Sequence, residues 1–200
     1  DAESFKHVTD GFDDARLISL ISDVRHPDIM RYLVSKLGAP QITAVTSLFK
    51  TCMLCNYIDM VDYMCSIGRP VTQADFIFAA NQHGPVADLM TILLNYGTPT
   101  EPIVVANDIE CIKVLHDAGE PITHELFQYV VDNMLLDCIE YIHALYPTWT
   151  TVINCIFNDV DGIEIPSDAA AYCISIGCTI GPAMCEAAVW SENYESLKLF

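Results

Sequence analysis

Apolar and polar positions recur along this chain with a fixed relation to glycine. The segment "YMCSIGRPVT" at 63–72 returns as "VLHDAGEPIT" at 114–123, each an apolar run followed by Gly, a variable residue, Pro, an apolar residue and Thr. Gly38, Gly68, Gly97, Gly119 and Gly177 all close such runs. Eight residues before them stand Met30, Met60, Leu89, Cys111 and Ala169. Four before stand Val34, Met64, Leu93, Leu115 and Cys173, and one before stand Leu37, Ile67, Tyr96, Ala118 and Ile176. Offsets of 8, 4 and 1 fall on one face of an α-helix. Nine before, four of the five positions are acids (Asp59, Asp88, Glu110, Asp168), where the positive end of the helix dipole favours them. Pro27 and Pro85 suit a first helical position. Gly then fits the left-handed residue that ends a helix, and a Pro two residues on prevents continuation.

The beat repeats. Pro40, Pro70, Pro99, Pro121 and Pro147 are spaced by 30, 29, 22 and 26 residues. Between beats lies a second helical pattern: "TAVTSLFKTCMLC", "VTQADFIFAANQHG", "ITHELFQYVVDNM", "TWTTVINCIFNDV" and "GPAMCEAAVWSEN". Thr72 with Asp75, and Thr123, stand where caps belong. The 22-residue interval keeps only "TEPIVVAN" for its first helix, so that repeat is truncated. The expected unit is helix, tight loop, helix, turn over about 30 residues, and the fold class all-α, a solenoid of six to seven stacked units over residues 26–200. Residues 1–25 are expected to be a polar tail, 1–14, followed by a capping helix in "ARLISLISDV". The chain begins without Met and stops inside an apolar pattern, as a piece of a longer protein would.

The stretch "FIFAANQHGPVADLMTILLNYGTP", 76–99, resembles an ankyrin repeat, and "NDIECIKVLHDAGEPI", 107–122, resembles its second half. The Thr-Pro-Leu-His start of that repeat is absent, and the segment between units is too short for a long β-hairpin finger. The style is similar to the divergent ankyrin arrays of large DNA viruses and some intracellular bacteria. The resemblance implies a protein-binding scaffold whose first helices line a concave docking face. A generic α-solenoid is the alternative fold.

Charge sharpens this picture. Residues 1–100 carry 11 acids and 7 bases, whereas residues 101–200 carry 16 acids and 2 bases, with no Lys or Arg between Lys113 and Lys198. Such a surface repels nucleic-acid phosphates and anionic membrane and attracts basic partners, while also keeping an apolar repeat protein dissolved. No apolar run reaches the length of a membrane-spanning helix, and no signal peptide is visible. Nine cysteines, mostly inside apolar runs, point to buried thiols in a reducing intracellular setting, the host cytoplasm or a virion if the source is viral.

Chemistry is sparse. Cys52 and Cys55 form a lone C-x₂-C without a second pair for zinc. The acidic "DVDGIEIPSD" at 159–168 lacks calcium-loop spacing. No nucleophile elbow, H-E-x-x-H, phosphate loop or dinucleotide fingerprint is present. The expectation is therefore no enzyme, no cofactor and no metal. His116 and His143 are expected to interact with helix C-terminal dipoles. Candidate partner-binding residues are the aromatics Tyr129, Trp149 and Trp190, the acids Glu125, Asp132, Glu186 and Glu192, and His83 in the "NQHG" loop. The expected function is docking of a protein, basic if the acids steer it; a structural role in a larger assembly, or acidic mimicry of nucleic acid, are the alternatives.

Overall fold

A computed structural model describes residues 2–21, 24, 26–84, 86–149, 154–155, 167–180, 185–186, 189 and 198. The chain divides into two compact units, Asp1–Glu101 and Pro102–Phe200. The first contains α1 (Ala2–Thr9), α2 (Asp14–Leu20), α3 (Pro27–Leu37), α4 (Ala39–Thr43), α5 (Thr46–Leu54), α6 (Ile58–Ser66), α7 (Gln73–Ala80) and α8 (Ala87–Tyr96). The second contains α9 (Ile109–Asp117), α10 (His124–Asp132), α11 (Leu136–Leu145) and α12 (Ser167–Ser175). It also holds two-residue strands, β1 (Asn154–Cys155) and β2 (Thr179–Ile180), paired in parallel. The regular structure among the described residues is thus all-helical apart from that pairing.

Within the first unit α5 packs on α6 and α7 on α8, while α3, α6 and α8 pack in series. Within the second, α10 packs on α11, and α9, α11 and α12 pack in series. The residues 1–14 expected as tail or cap include α1, which packs on α3 with Phe5 edge-on to Tyr32 at 6.2 Å.

Five of the described helices stop by one device. In α6 the Gly68 N–H bonds to Cys65 O and the Arg69 N–H reaches back to Met64 O at 3.1 Å, a Schellman motif with Gly68 at φ 100°. The same two bonds end α9 through Gly119 and Glu120, and α12 through Gly177 and Cys178. They also end α5 through Asn56 and Tyr57, and α10 through Met134 and Leu135. Asn56 and Met134 hold φ 53° and 52° without being glycine; Asn tolerates this region, while Met134 is held there by burying its side chain. Gly97 departs from the expected pattern. Its φ of −169° is ordinary extended backbone, and what glycine supplies there is room: a Cβ would sit 3.3 Å from Val71 Cβ, so Val71 would have to give by a few tenths of an ångström.

The apolar stripe is also shifted. All five residues eight before the glycines are buried, and Met64, Leu93, Leu115 and Cys173 are buried four before. One before, only Leu37 is buried, while Tyr96 and Ala118 are exposed. That last position lies at or next to the helix cap, beyond the last turn that faces the neighbour. Val61, Met90, Ile112 and Ala170, seven before, complete the stripe instead. The "TWTTVINCIFNDV" segment, expected as a helix, has its described pair Asn154–Cys155 in a strand. Its run of β-branched Thr, Val and Ile residues favours extended backbone.

One buried ion pair locks a turn of the first unit. Arg69, immediately after Gly68, lays its guanidinium 3.6 Å from the Phe49 ring centre and donates to both carboxylate oxygens of Asp75 at 2.9 and 3.1 Å. The two side chains are only 7% and 3% exposed. Arg69 also donates to Pro70 O. Asp75 in turn accepts from the N–H and hydroxyl of Thr72 at 2.9 and 2.7 Å, fastening the start of α7. Every partner of each charge is therefore local, and removing one strands the other in a dry site. Asp75→Asn is expected to destabilise the fold by about 3–5 kcal/mol, whereas replacing both residues with apolar ones of similar volume costs far less. Denaturant unfolding of the single and double variants measures the difference.

Candidate functional site

The second unit carries a groove of about 500 Å³ lined by Val104, Val105, His124, Glu125, Gln128, Tyr129 and Asp132. Five of these come from α10. Its N-cap is Thr123, whose hydroxyl accepts from Leu126 N–H at 3.2 Å. Offsets of 3, 4 and 7 put Glu125, Gln128, Tyr129 and Asp132 on one face, while Leu126, Phe127, Val130 and Val131 are buried on the other. The opposite wall, Val104 and Val105, belongs to residues 102–106, which are not helical. This is the shortened 22-residue interval of the sequence: no helix is described between α8 and α9, and the outer face of α10 is left open.

The groove is polar on one side and apolar on the other. Tyr129 is half-buried, and its hydroxyl donates to Asn107 Oδ1 at 2.7 Å, which fixes the ring; burial pushes its pKa up. Gln128 donates to Asp132 Oδ1 at 2.7 Å. The Glu125 carboxylate accepts from its own backbone N–H and from the Thr123 hydroxyl, and both hold it below the usual carboxylate value. Among the described residues no Lys or Arg lines the groove.

Three of the residues singled out from sequence, Glu125, Tyr129 and Asp132, therefore meet in one place. Trp149 does not line it. Its half-buried ring stacks on His124 at 4.0 Å and on Tyr146 at 4.1 Å, so it holds His124 at the end of the groove instead. His83 is exposed in the first unit, and Glu186 is exposed in the second. Trp190, Glu192 and most of the acidic segment 159–168 lie outside the described residues. Val104, Val105, His124 and Gln128 were not anticipated. The irregular 22-residue spacing was the signal available for the valines, and helical periodicity from Glu125 was the signal for Gln128.

Other clusters do less. A second pocket of about 490 Å³, between α3 and α6, is lined by His26, Asp28, Arg31, Asp59, Asp62, Tyr63 and Ser66 among others. Its cation is already engaged: Arg31 pairs with Asp28 at 2.6 Å and lies over the Tyr63 ring. Cys52 is buried and Cys55 exposed, so the C-x₂-C presents its thiols to different surroundings. Among the described residues no group of three or more His, Cys, Asp or Glu is placed to hold a metal ion. Burial pushes the Cys65 thiol up to about 11 and those of Cys111 and Cys138 up to about 12, leaving them protonated and unreactive at neutral pH. His116 and His143 each meet the hydroxyl of a tyrosine on the next packed helix, Tyr141 at 3.0 Å and Tyr172 at 3.1 Å. No helix among the described residues is long and apolar enough to cross a membrane.

No family model, curated protein or solved structure matches the chain.

Because the folded-state value of Glu125 is depressed, its contribution to stability is present above the ordinary glutamate value and fades as pH falls through the lower folded one. Thr123→Val removes the hydroxyl that serves both Glu125 and Leu126. It is expected to raise the Glu125 pKa toward the ordinary value and to cost about 1 kcal/mol of stability. Carboxyl-detected NMR titration and thermal unfolding measure the two effects.

Proposed function

We propose that this chain is an array of ankyrin-like helix pairs that works as a protein-docking scaffold, and that the groove beside α10 receives a basic segment of its partner. The single observation that carries the reading is the groove itself: Glu125 and Asp132 on one wall, Val104 and Val105 on the other, a hydrogen-bonded Tyr129 between, and no Lys or Arg among the described lining residues. A fixed tyrosine offers contact area at little entropic cost, and carboxylates at a rim steer a cation and set its register. The repeat reading is supported by the shared Schellman endings and by the serial packing of α3, α6 and α8 in one unit and of α9, α11 and α12 in the other.

Acids stand on all four described helices of the second unit, including Glu110, Glu125, Glu140 and Asp168. This spread supports a scaffold with a negative surface and one local docking site over mimicry of nucleic acid. The buried, protonated thiols and the engaged cation of the first-unit pocket support binding over catalysis.

Selection of random peptides displayed against the immobilised full chain tests the proposal. The expected outcome is enrichment of Lys and Arg beside apolar residues, with affinity falling about tenfold as salt rises from about 0.05 to 0.5 M. Peptides without basic enrichment, or ones that bind a Glu125→Gln/Asp132→Asn variant equally well, contradict it.

A further inference from the structure

The groove's valine wall has a property that its side chains do not explain. No hydrogen bond among the described residues engages the backbone N–H or C=O of Ile103, Val104, Val105 or Ala106. Backbone groups left without a partner are uncommon in folded chains, because the lost hydrogen bond is costly wherever water is excluded. The segment is nevertheless anchored. Ile103 and Ala106 are 2% and 0% exposed, so its two ends are fixed in the core, and Pro102 before it restricts the backbone further. Between these anchors Val104 is 40% exposed, and both valines line the groove.

We infer that the groove takes its partner as an extended peptide whose main chain hydrogen-bonds to Val104 and Val105; this rests on the docking reading above. An α-helical partner has already satisfied its own main chain and could use only the side chains of the wall. An extended peptide brings unpaired N–H and C=O groups, and strand-like addition is a recurring way to recognise such segments. Its alternating side chains then meet two different surfaces, the valines on one side and the α10 carboxylates on the other.

The spacing of the acids sets the peptide's pattern. Glu125 and Asp132 are seven residues apart on α10, about 10 Å along its axis. In an extended chain alternate residues share a face, so two side chains four residues apart stand on one face about 13 Å apart, and flexible lysine stems take up the difference. The fitting segment therefore carries two basic residues flanking a short stretch of small or β-branched apolar ones. Lysine and arginine stems are long enough to lie along the valine and tyrosine surfaces while their charges reach the carboxylates. With Gln128 already bonded to Asp132 and Tyr129 to Asn107, the polar wall is held in place before the peptide arrives.

The test uses the full chain and two synthetic peptides of about eight residues with blocked ends and a Lys-Val-Ala-Val-Lys centre, which places both lysines on one face and both valines on the other. One is unmodified; the other is N-methylated at both valines, which keeps every side chain and removes the main-chain donors. Affinity is read by fluorescence anisotropy, and amide exchange at Val104 and Val105 by NMR. The expected result is binding of the unmodified peptide, at least about tenfold weaker binding of the methylated one, and slowed exchange at the two valine amides. Equal binding of both peptides, lost in the Glu125→Gln/Asp132→Asn variant, overturns main-chain pairing and leaves the docking reading standing. Equal binding of both peptides that the same variant does not affect overturns the two together. If neither peptide binds while peptides selected by display do, the proposed pattern of two lysines flanking alternate valines is wrong.

Discussion

Helices of nine or ten residues, such as α5, α6, α8, α9, α10 and α11, do not hold in water by themselves, because nucleating a helix costs more than so few hydrogen bonds return. Each depends on burying its apolar stripe against a neighbour, and it can do so only if the chain turns at the right residue. The six-to-one bond that closes α5, α6, α9, α10 and α12 makes that decision. It satisfies a terminal carbonyl, spends one residue in the left-handed region, and delivers the next segment to a fixed position. At Gly68 the consequence reaches furthest. The residue that follows, Arg69, is carried under Phe49 and onto Asp75, so a helix stop, a buried ion pair and the next helix start become one assembly.

Magnitudes separate this pair from the chain's other charges. A buried bidentate pair loses several kcal/mol when one partner is removed. Exposed pairs such as Lys6–Glu3 and Lys113–Glu110 belong to the class worth about 1 kcal/mol or less. The acids of the second unit are mostly of the exposed kind, and they matter little to folding. In the docking proposed here their effect lies outside the molecule, on the approach and register of a cation. The groove follows from an omission in the repeat: where the interval between prolines drops to 22 residues, no first helix forms, and α10 keeps an uncovered face against the segment 102–106.

Much of this was legible in the residues. The glycine beat located the helices ending before Gly38, Gly68, Gly97, Gly119 and Gly177, because an apolar stripe and a stop signal recur together there. What escaped depended on geometry that spacing does not carry. Asn56 and Met134 adopt left-handed backbone without a glycine to announce it. Gly97 stands close to Val71, which is a fact about a distant neighbour. Asp75 was readable as a cap for Thr72 but not as the partner of Arg69, since their meeting requires the turn between them. Glu125, Tyr129 and Asp132 could be grouped by helical offset, while the stacking of Trp149 on His124 depends on how the segment after α11 turns back. The valine wall was hidden because "TEPIVVAN" was read as a shortened helix.

The central claim is that one groove, and not the general acidity of the chain, receives a basic partner. A charge-matched comparison tests it most directly: Glu125→Lys/Asp132→Lys in the groove against Asp28→Lys/Asp59→Lys in the first-unit pocket, each changing net charge equally. Affinity for a Lys-bearing peptide that binds the unaltered chain is then measured at one salt concentration, with circular dichroism confirming the fold of each variant. The account predicts that the groove reversal abolishes binding and the pocket reversal leaves it nearly intact. Equal weakening by both would show that net charge alone attracts the peptide, and would contradict a defined docking site.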